Sequence, residues 1–150
     1  MKKADKAHRI NGNNTGKRWK VKNRSGVLLH GDLTQKIIGY CYEIHKQYGS
    51  GQKESLYQNA LEEKLDINHI PFKREAVIVI SSEDTGKKIG SHRLDFVVEE
   101  KVILETKAIK FTPVKLEQQL FSYLRNSPYE VGLMVNFGSS RLYIRRIILT

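Results

Sequence analysis

The sequence predicts one α/β (α+β) domain, a mixed β-sheet flanked by helices in the order α-α-β-β-β-α-β-β. Three observations predict it. Two stretches with apolar residues at helical spacing come first, beginning near Leu33 and Glu54. Three strand-like runs follow, separated by short polar turns. A helix that opens at Pro113 then separates them from two further apolar runs. Strands joined by tight turns form an antiparallel meander, and a helix between strands acts as a crossover to the rest of the sheet.

Each element has a local reason. Leu33, Ile37, Cys41, Ile44 and Tyr48 recur on one helical face, with Asp32 or Thr34 as the expected cap and Gly49-Ser50-Gly51 as the stop. Leu56, Tyr57, Ala60, Leu61 and Leu65 form the inner face of the second helix, which Asn68-His69-Ile70-Pro71 breaks. Ala76–Ile80 is an apolar strand, and Ser81 to Gly86 is a polar turn. Strands follow near 88–98 and 102–108. Pro113 suits a first helical turn, and Leu116, Leu120, Tyr123 and Leu124 point inward on the helix that runs to about Asn126. Val131–Asn136 reads as a buried strand, and Leu142–Ile148 supplies the last.

A chain of 150 residues can bury one real core and is too short for two comfortable ones. No apolar run approaches the roughly 18 residues that span a bilayer, so no membrane association is expected. No apolar segment follows the basic start Met1-Lys2-Lys3, so no signal peptide is read, and the single Cys41 excludes an intramolecular disulfide. A cytoplasmic location is the expectation. The net charge is +10, yet residues 1–30 hold nine Lys/Arg against one Asp, leaving 17 Lys/Arg against 15 Asp/Glu in residues 31–150. The chain therefore divides into a basic segment, 1–30, read as disordered or loosely attached to about Ser25, and a domain, 31–150. Lys17, Arg18, Trp19 and Lys20 are the nucleic-acid-binding candidates of that segment. A solvated tail, with Trp19 docked on the domain, is the plainer alternative.

The chemistry concentrates in Asp95 and the triplet Glu105-Thr106-Lys107. Side chains two apart on a strand share a face, so Glu105 and Lys107 point the same way. The hairpin between the two strands decides whether Asp95 joins them. A three-residue loop, Glu99-Glu100-Lys101, sets Asp95 opposite Glu105; a two-residue loop sets it opposite Leu104. The apolar pattern favours the first, with Leu94, Phe96 and Val98 on one face and Arg93, Asp95 and Val97 on the other. Two carboxylates and an ammonium on one face can hold a divalent cation and position a water for hydrolysis. An ordinary solvated face with a salt bridge to Lys107 fits the same residues.

Asp95, Glu105-x-Lys107 and a following helix with Gln119-x-x-x-Tyr123 resemble the PD-(D/E)XK nuclease superfamily. Gly51-Gln52-Lys53-Glu54-Ser55-Leu56-Tyr57 resembles the signature of the GxxExxY family within it. Leu33–Gly39, Glu43-Ile44-His45 and Val131–Gly138 add to the likeness, which covers roughly Leu33 to Ile148. The resemblance implies a restriction-endonuclease-like fold. It implies Asp95 and Glu105 as metal-binding carboxylates, Lys107 as the residue that orients water and stabilises phosphate charge, and Glu54 as a helical acid that binds metal directly or through water. It implies Gln119 as a polar residue lining the site, with Tyr123 packing. The family's Gly-Pro-Gly-like turn is Gly49-Ser50-Gly51 here, and the apolar pair before the signature Glu is Gln52-Lys53.

Other arrangements are weaker. Glu43 and His45 do not share a helical face and are expected to be structural, with Glu43 in reserve should Glu54 point away. The remaining histidines form no ligand-spaced pair, and no phosphate-binding loop or Gly-x-Ser-x-Gly elbow is present. The expected function is a Mg²⁺-dependent nuclease acting on DNA, with Mn²⁺ able to substitute. The alternative is a catalytically silent module of the same fold that binds nucleic acid or a protein. Oligomeric state is left open, a homodimer included.

Overall fold

The structure is a computed structural model and describes residues 8–10 and 29–149. The cluster Lys17-Arg18-Trp19-Lys20, and the expected disorder of most of residues 1–25, lie outside the described residues. The elements are β1 (His8–Ile10), α1 (Gly31–Tyr48), α2 (Glu54–Ile67), β2 (Phe72–Ser81), β3 (Lys88–Val98), β4 (Val102–Lys107), α3 (Val114–Arg125), β5 (Val131–Asn136) and β6 (Tyr143–Ile148). From α1 onward this is the expected order. The backbone of β1 adds a short strand beside β2, in the segment read as loosely attached.

The sheet runs β1-β2-β3-β4-β5-β6 in chain order. β2, β3 and β4 form an antiparallel meander, β4 and β5 are parallel, and β6 returns antiparallel to β5. α3 is the crossover that a parallel pair requires. Three helices on the five strands β2 to β6 make the α+β, restriction-endonuclease-like fold. Among the described residues no helix is long and apolar enough to cross a membrane.

Two apolar layers sandwich the sheet. α1 and α2 contribute Ile37, Cys41, Ile44, Tyr57, Leu61 and Leu65, which pack on Phe96, Val98, Val102, Leu104, Leu133 and Val135. On the other face Leu120, Tyr123 and Leu124 of α3 cover Leu94, Val97, Ile103, Met134 and Ile147. Every position of β5 is buried, as a strand covered on both faces should be. A Cβ on Gly132 would stand 2.8 Å from Leu120 Cδ1, so this glycine lets α3 settle close to the sheet.

Three local expectations are corrected. α1 begins at Gly31, before Thr34 can cap it: the Thr34 hydroxyl donates to the Gly31 carbonyl at 3.1 Å and caps no N–H. Tyr48, in the last turn of α1, is exposed rather than inward. Leu94 belongs to the α3 layer, whereas Phe96 and Val98 belong to the α1–α2 layer. The last change coincides with Glu75. It sits at φ 54° in β2, between the pairs Arg74↔Phe96 and Ala76↔Leu94, and interrupts the strand alternation across from Asp95.

Candidate active site

The register resolves the hairpin question. Phe96 pairs with Leu104, Val97 with Ile103 and Val98 with Val102, around the three-residue loop Glu99-Glu100-Lys101. That alignment carries Asp95 to Glu105. Glu99 and Glu100 both adopt positive φ, 51° and 55°, and the Lys101 N–H donates to the Val98 carbonyl at 3.0 Å. The turn thus takes a left-handed conformation that glycine usually supplies, which costs about 1 kcal/mol per non-glycine residue.

Past Phe96↔Leu104 the ladder gives way to the two acids. Glu105 Oε1 accepts the Asp95 backbone N–H at 3.1 Å. Asp95 Oδ2 accepts the Thr106 backbone N–H at 2.8 Å and the Thr106 hydroxyl at 3.1 Å. Each carboxylate therefore satisfies a main-chain donor of the opposing strand where the strands part. Buried N–H groups need a partner, so this exchange fixes both side chains in place.

α2 closes the site from the helical side. Gln58 donates to Thr106 Oγ1 at 2.9 Å and to Glu54 Oε1 at 3.3 Å. Arg74 donates to Gln58 Oε1 and pairs with Glu62 at 2.7 Å, which anchors the same face. Glu54 lies in the first turn of α2, with Asp95, Thr106 and Lys107 near enough to set its charge. Tyr57, one turn on, is structural. Its ring stacks on Phe137 with centroids 4.6 Å apart, and its hydroxyl donates to the Gly49 carbonyl and accepts the Gln52 N–H, tying down the turn before α2.

The electrostatics follow from burial. Glu105 is only 5% exposed. Burial first and the Asp95 charge second push its carboxyl up to about 8, against the pull of the Asp95 N–H and the Lys107 ammonium. Burial also lifts Glu54 above the ordinary glutamate range; Lys107 opposes the rise and Asp95 adds to it. On the α3 side, burial raises the Tyr123 hydroxyl, with the charges of Glu105 and Asp95 adding to that. The Tyr123 ring also packs on His92, with centroids 4.7 Å apart. Gln119 stands exposed one turn before Tyr123 on the same helical face, with no side-chain hydrogen bond among the described residues.

Asp95, Glu105, Lys107 and Glu54 thus come together from β3, β4 and α2. Sequence reasoning missed Gln58 and Thr106 and assigned Tyr123 to packing alone. Gln58 sits four residues after Glu54 on one helical face, a spacing that could have found it. Strand alternation gives no hint that Thr106 would meet both Asp95 and Gln58. Glu43 pairs with Lys64 at 2.6 Å, and His45 Nε2 meets the Ser139 carbonyl at 3.0 Å. Both are structural, as expected.

A divalent cation fits the acid pair. Oδ1 of Asp95 and Oε2 of Glu105 accept no hydrogen bond from a described donor, and the carboxyls are close enough for a protonated Glu105 to donate to Asp95. Two carboxylates forced together in a buried place are relieved by a cation. Among the described residues no three His, Cys, Asp or Glu side chains converge as a ligand set. A pair of carboxylates is a donor set that can hold a divalent cation together with waters and substrate phosphate oxygens.

The loop after β4 is held rigidly. Asn136, buried at the end of β5, accepts the N–H groups of Ile109 and Gly138 and donates to the Ile109 carbonyl and the Thr112 hydroxyl. A Cβ on Gly138 would collide with the Ala108 and Ile109 backbone, so a glycine is required there. These contacts fix the chain immediately beyond Lys107.

A family model described as the PD-(D/E)XK nuclease superfamily matches residues 31–147. No curated protein and no solved structure matches the chain. The match spans both helical and sheet layers and the whole acid–lysine cluster, and by it the chain belongs to the PD-(D/E)XK nuclease superfamily.

Proposed function

We propose that the protein is a Mg²⁺-dependent nuclease that hydrolyses phosphodiester bonds in DNA, of the GxxExxY type within its superfamily. The observation that carries this reading is the convergence of Asp95, Glu105 and Lys107 where β3 and β4 part, with Glu54 facing them from α2. Asp95 and Glu105 would hold the cation. The bound ion supplies Lewis acidity toward a phosphoryl oxygen and lowers the pKa of a coordinated water. Lys107 orients the attacking water and offsets negative charge that develops on the phosphate. Glu54, whose charge is coupled to Asp95 and Lys107, would add to the ion's surroundings directly or through a water. Tyr123, whose hydroxyl feels the charges of Glu105 and Asp95, and exposed Gln119 belong to the α3 side.

A silent module of the same fold that binds nucleic acid or a protein is the second reading. One experiment separates the two readings. The full chain is incubated with single- and double-stranded DNA and RNA in Mg²⁺, Mn²⁺ or EDTA, beside Lys107→Ala. The nuclease reading expects cleavage of DNA with either metal, none in EDTA, and a loss of roughly 10²–10³-fold in the variant. Cleavage that survives EDTA or the variant overturns the mechanism. Binding without cleavage of any substrate overturns the activity.

A further inference from the structure

The segment that leaves the site exposes an apolar and basic tip that nothing in the fold requires. Phe111 is 76% exposed and Val114 72% exposed, the two most exposed large apolar side chains among the described residues. Lys110 holds its ammonium 5.7 Å from the Phe111 ring centroid. Lys115 follows Val114 and is exposed, and neither lysine is paired with a carboxylate among the described residues. An aromatic ring held in water forgoes the burial that a flexible loop would find for it. This loop is not free to collapse, because three hydrogen bonds of Asn136 fix Ile109 and Thr112 on either side of Phe111.

Position and charge narrow the occupant. Phe111 follows Lys107 by four residues, so the two Cα atoms lie within about 14 Å. At about 3.4 Å per nucleotide along a strand, a base within roughly four nucleotides of a phosphate at Lys107 can reach the ring. An aromatic platform flanked by two lysines matches the π-face of a base next to its anionic backbone. A purely apolar protein surface would have no use for the paired cations.

We infer that Phe111, with Lys110 and Lys115, is a base-stacking platform for an unpaired nucleic-acid strand, and that it directs the site toward single-stranded or frayed segments. The inference rests on the proposed nucleic-acid reading, and its test is independent of cleavage. The full chain, in EDTA, is titrated into single-stranded and fully paired DNA carrying 2-aminopurine, and anisotropy and base fluorescence are both read. Wild-type protein is expected to quench 2-aminopurine in the single strand and to bind it more tightly than the duplex. Phe111→Ala is expected to lose the quench and to weaken single-strand binding roughly tenfold, with duplex binding little changed. Phe111→Trp is expected to restore both. Lys110→Ala is expected to lower the salt dependence by about one counterion while keeping the quench. The ring is exposed, so melting temperatures of the variants should match the wild type.

Equal binding of both strand forms by wild type and Phe111→Ala, with no quench, overturns the inference even if the protein cleaves DNA. A quench that depends on Phe111 supports it even if no cleavage is found, in which case the catalytic reading alone falls. Loss of affinity for single strand and duplex alike in Phe111→Ala, without a change in quench, also overturns it, because the ring would then serve something other than a base.

Discussion

Replacing Glu105 with Gln should stabilise the protein, and the effect should grow with pH. The carboxyl moves from an ordinary 4.5 to about 8 in the folded protein, mainly through burial. Between those values the folded chain holds a proton that the unfolded chain has released. The stabilising contribution of that proton is therefore full below about pH 4.5 and is lost as pH rises through about 8. The gap is about 3.5 pH units, which at about 1.4 kcal/mol each sets a ceiling near 5 kcal/mol above pH 8 and near 3 kcal/mol at pH 7. Glutamine imitates the protonated acid: its carbonyl can keep the Asp95 N–H that Oε1 now accepts, and its amide can donate to Asp95. Urea unfolding in EDTA at pH 5, 6, 7 and 8 measures the difference. Wild-type stability should decline relative to Glu105→Gln across that range, by up to about 1.4 kcal/mol per pH unit. Parallel pH curves, or a variant less stable than wild type at pH 8, would refute the reasoning. Saturating Mg²⁺ should stabilise the wild type, by about 2.7 kcal/mol at a hundredfold excess over Kd, and should do little for the variant.

Two further outcomes follow from the packing. Asn136→Ala removes four hydrogen bonds at a buried position and leaves Ile109 and Gly138 backbone groups unpaired, so urea unfolding should show a loss of roughly 2–4 kcal/mol; a loss below about 1 kcal/mol would mean water replaces the amide. Cys41 is fully buried and its thiol is pushed up to about 12, so an aromatic disulfide reagent should label it in native buffer only at the rate of unfolding. Rapid labelling of the folded protein would show that α1 does not seal it.

The sequence was most legible where periodicity and burial agree. Ile37, Cys41 and Ile44 on α1, and Tyr57, Leu61 and Leu65 on α2, are inward as their spacing requires, and α2 begins at Glu54. The opposition of Asp95 and Glu105 was legible only as a choice between two loop lengths. The loop that decides it uses two left-handed glutamates where a glycine would have been a signal. The transfer of Leu94 to the α3 face was not legible, since a left-handed Glu75 carries no mark in the sequence. The cluster of the candidate site was legible by residue type in Asp95, Glu105, Lys107 and Glu54, which the structure brings near one another. Gln58 and Thr106 were hidden because their roles arise from contacts between α2 and β4 that no local pattern encodes.

The exchange of backbone donors between Asp95 and Glu105 makes the two acids part of the sheet's own pairing. Alanine at either position would leave a main-chain N–H of the facing strand without its acceptor. An inactive alanine variant would therefore report a loosened seam between β3 and β4 as readily as a missing ligand. Amide replacements keep the seam while removing the charge, and they are the substitutions from which a role in hydrolysis can be read.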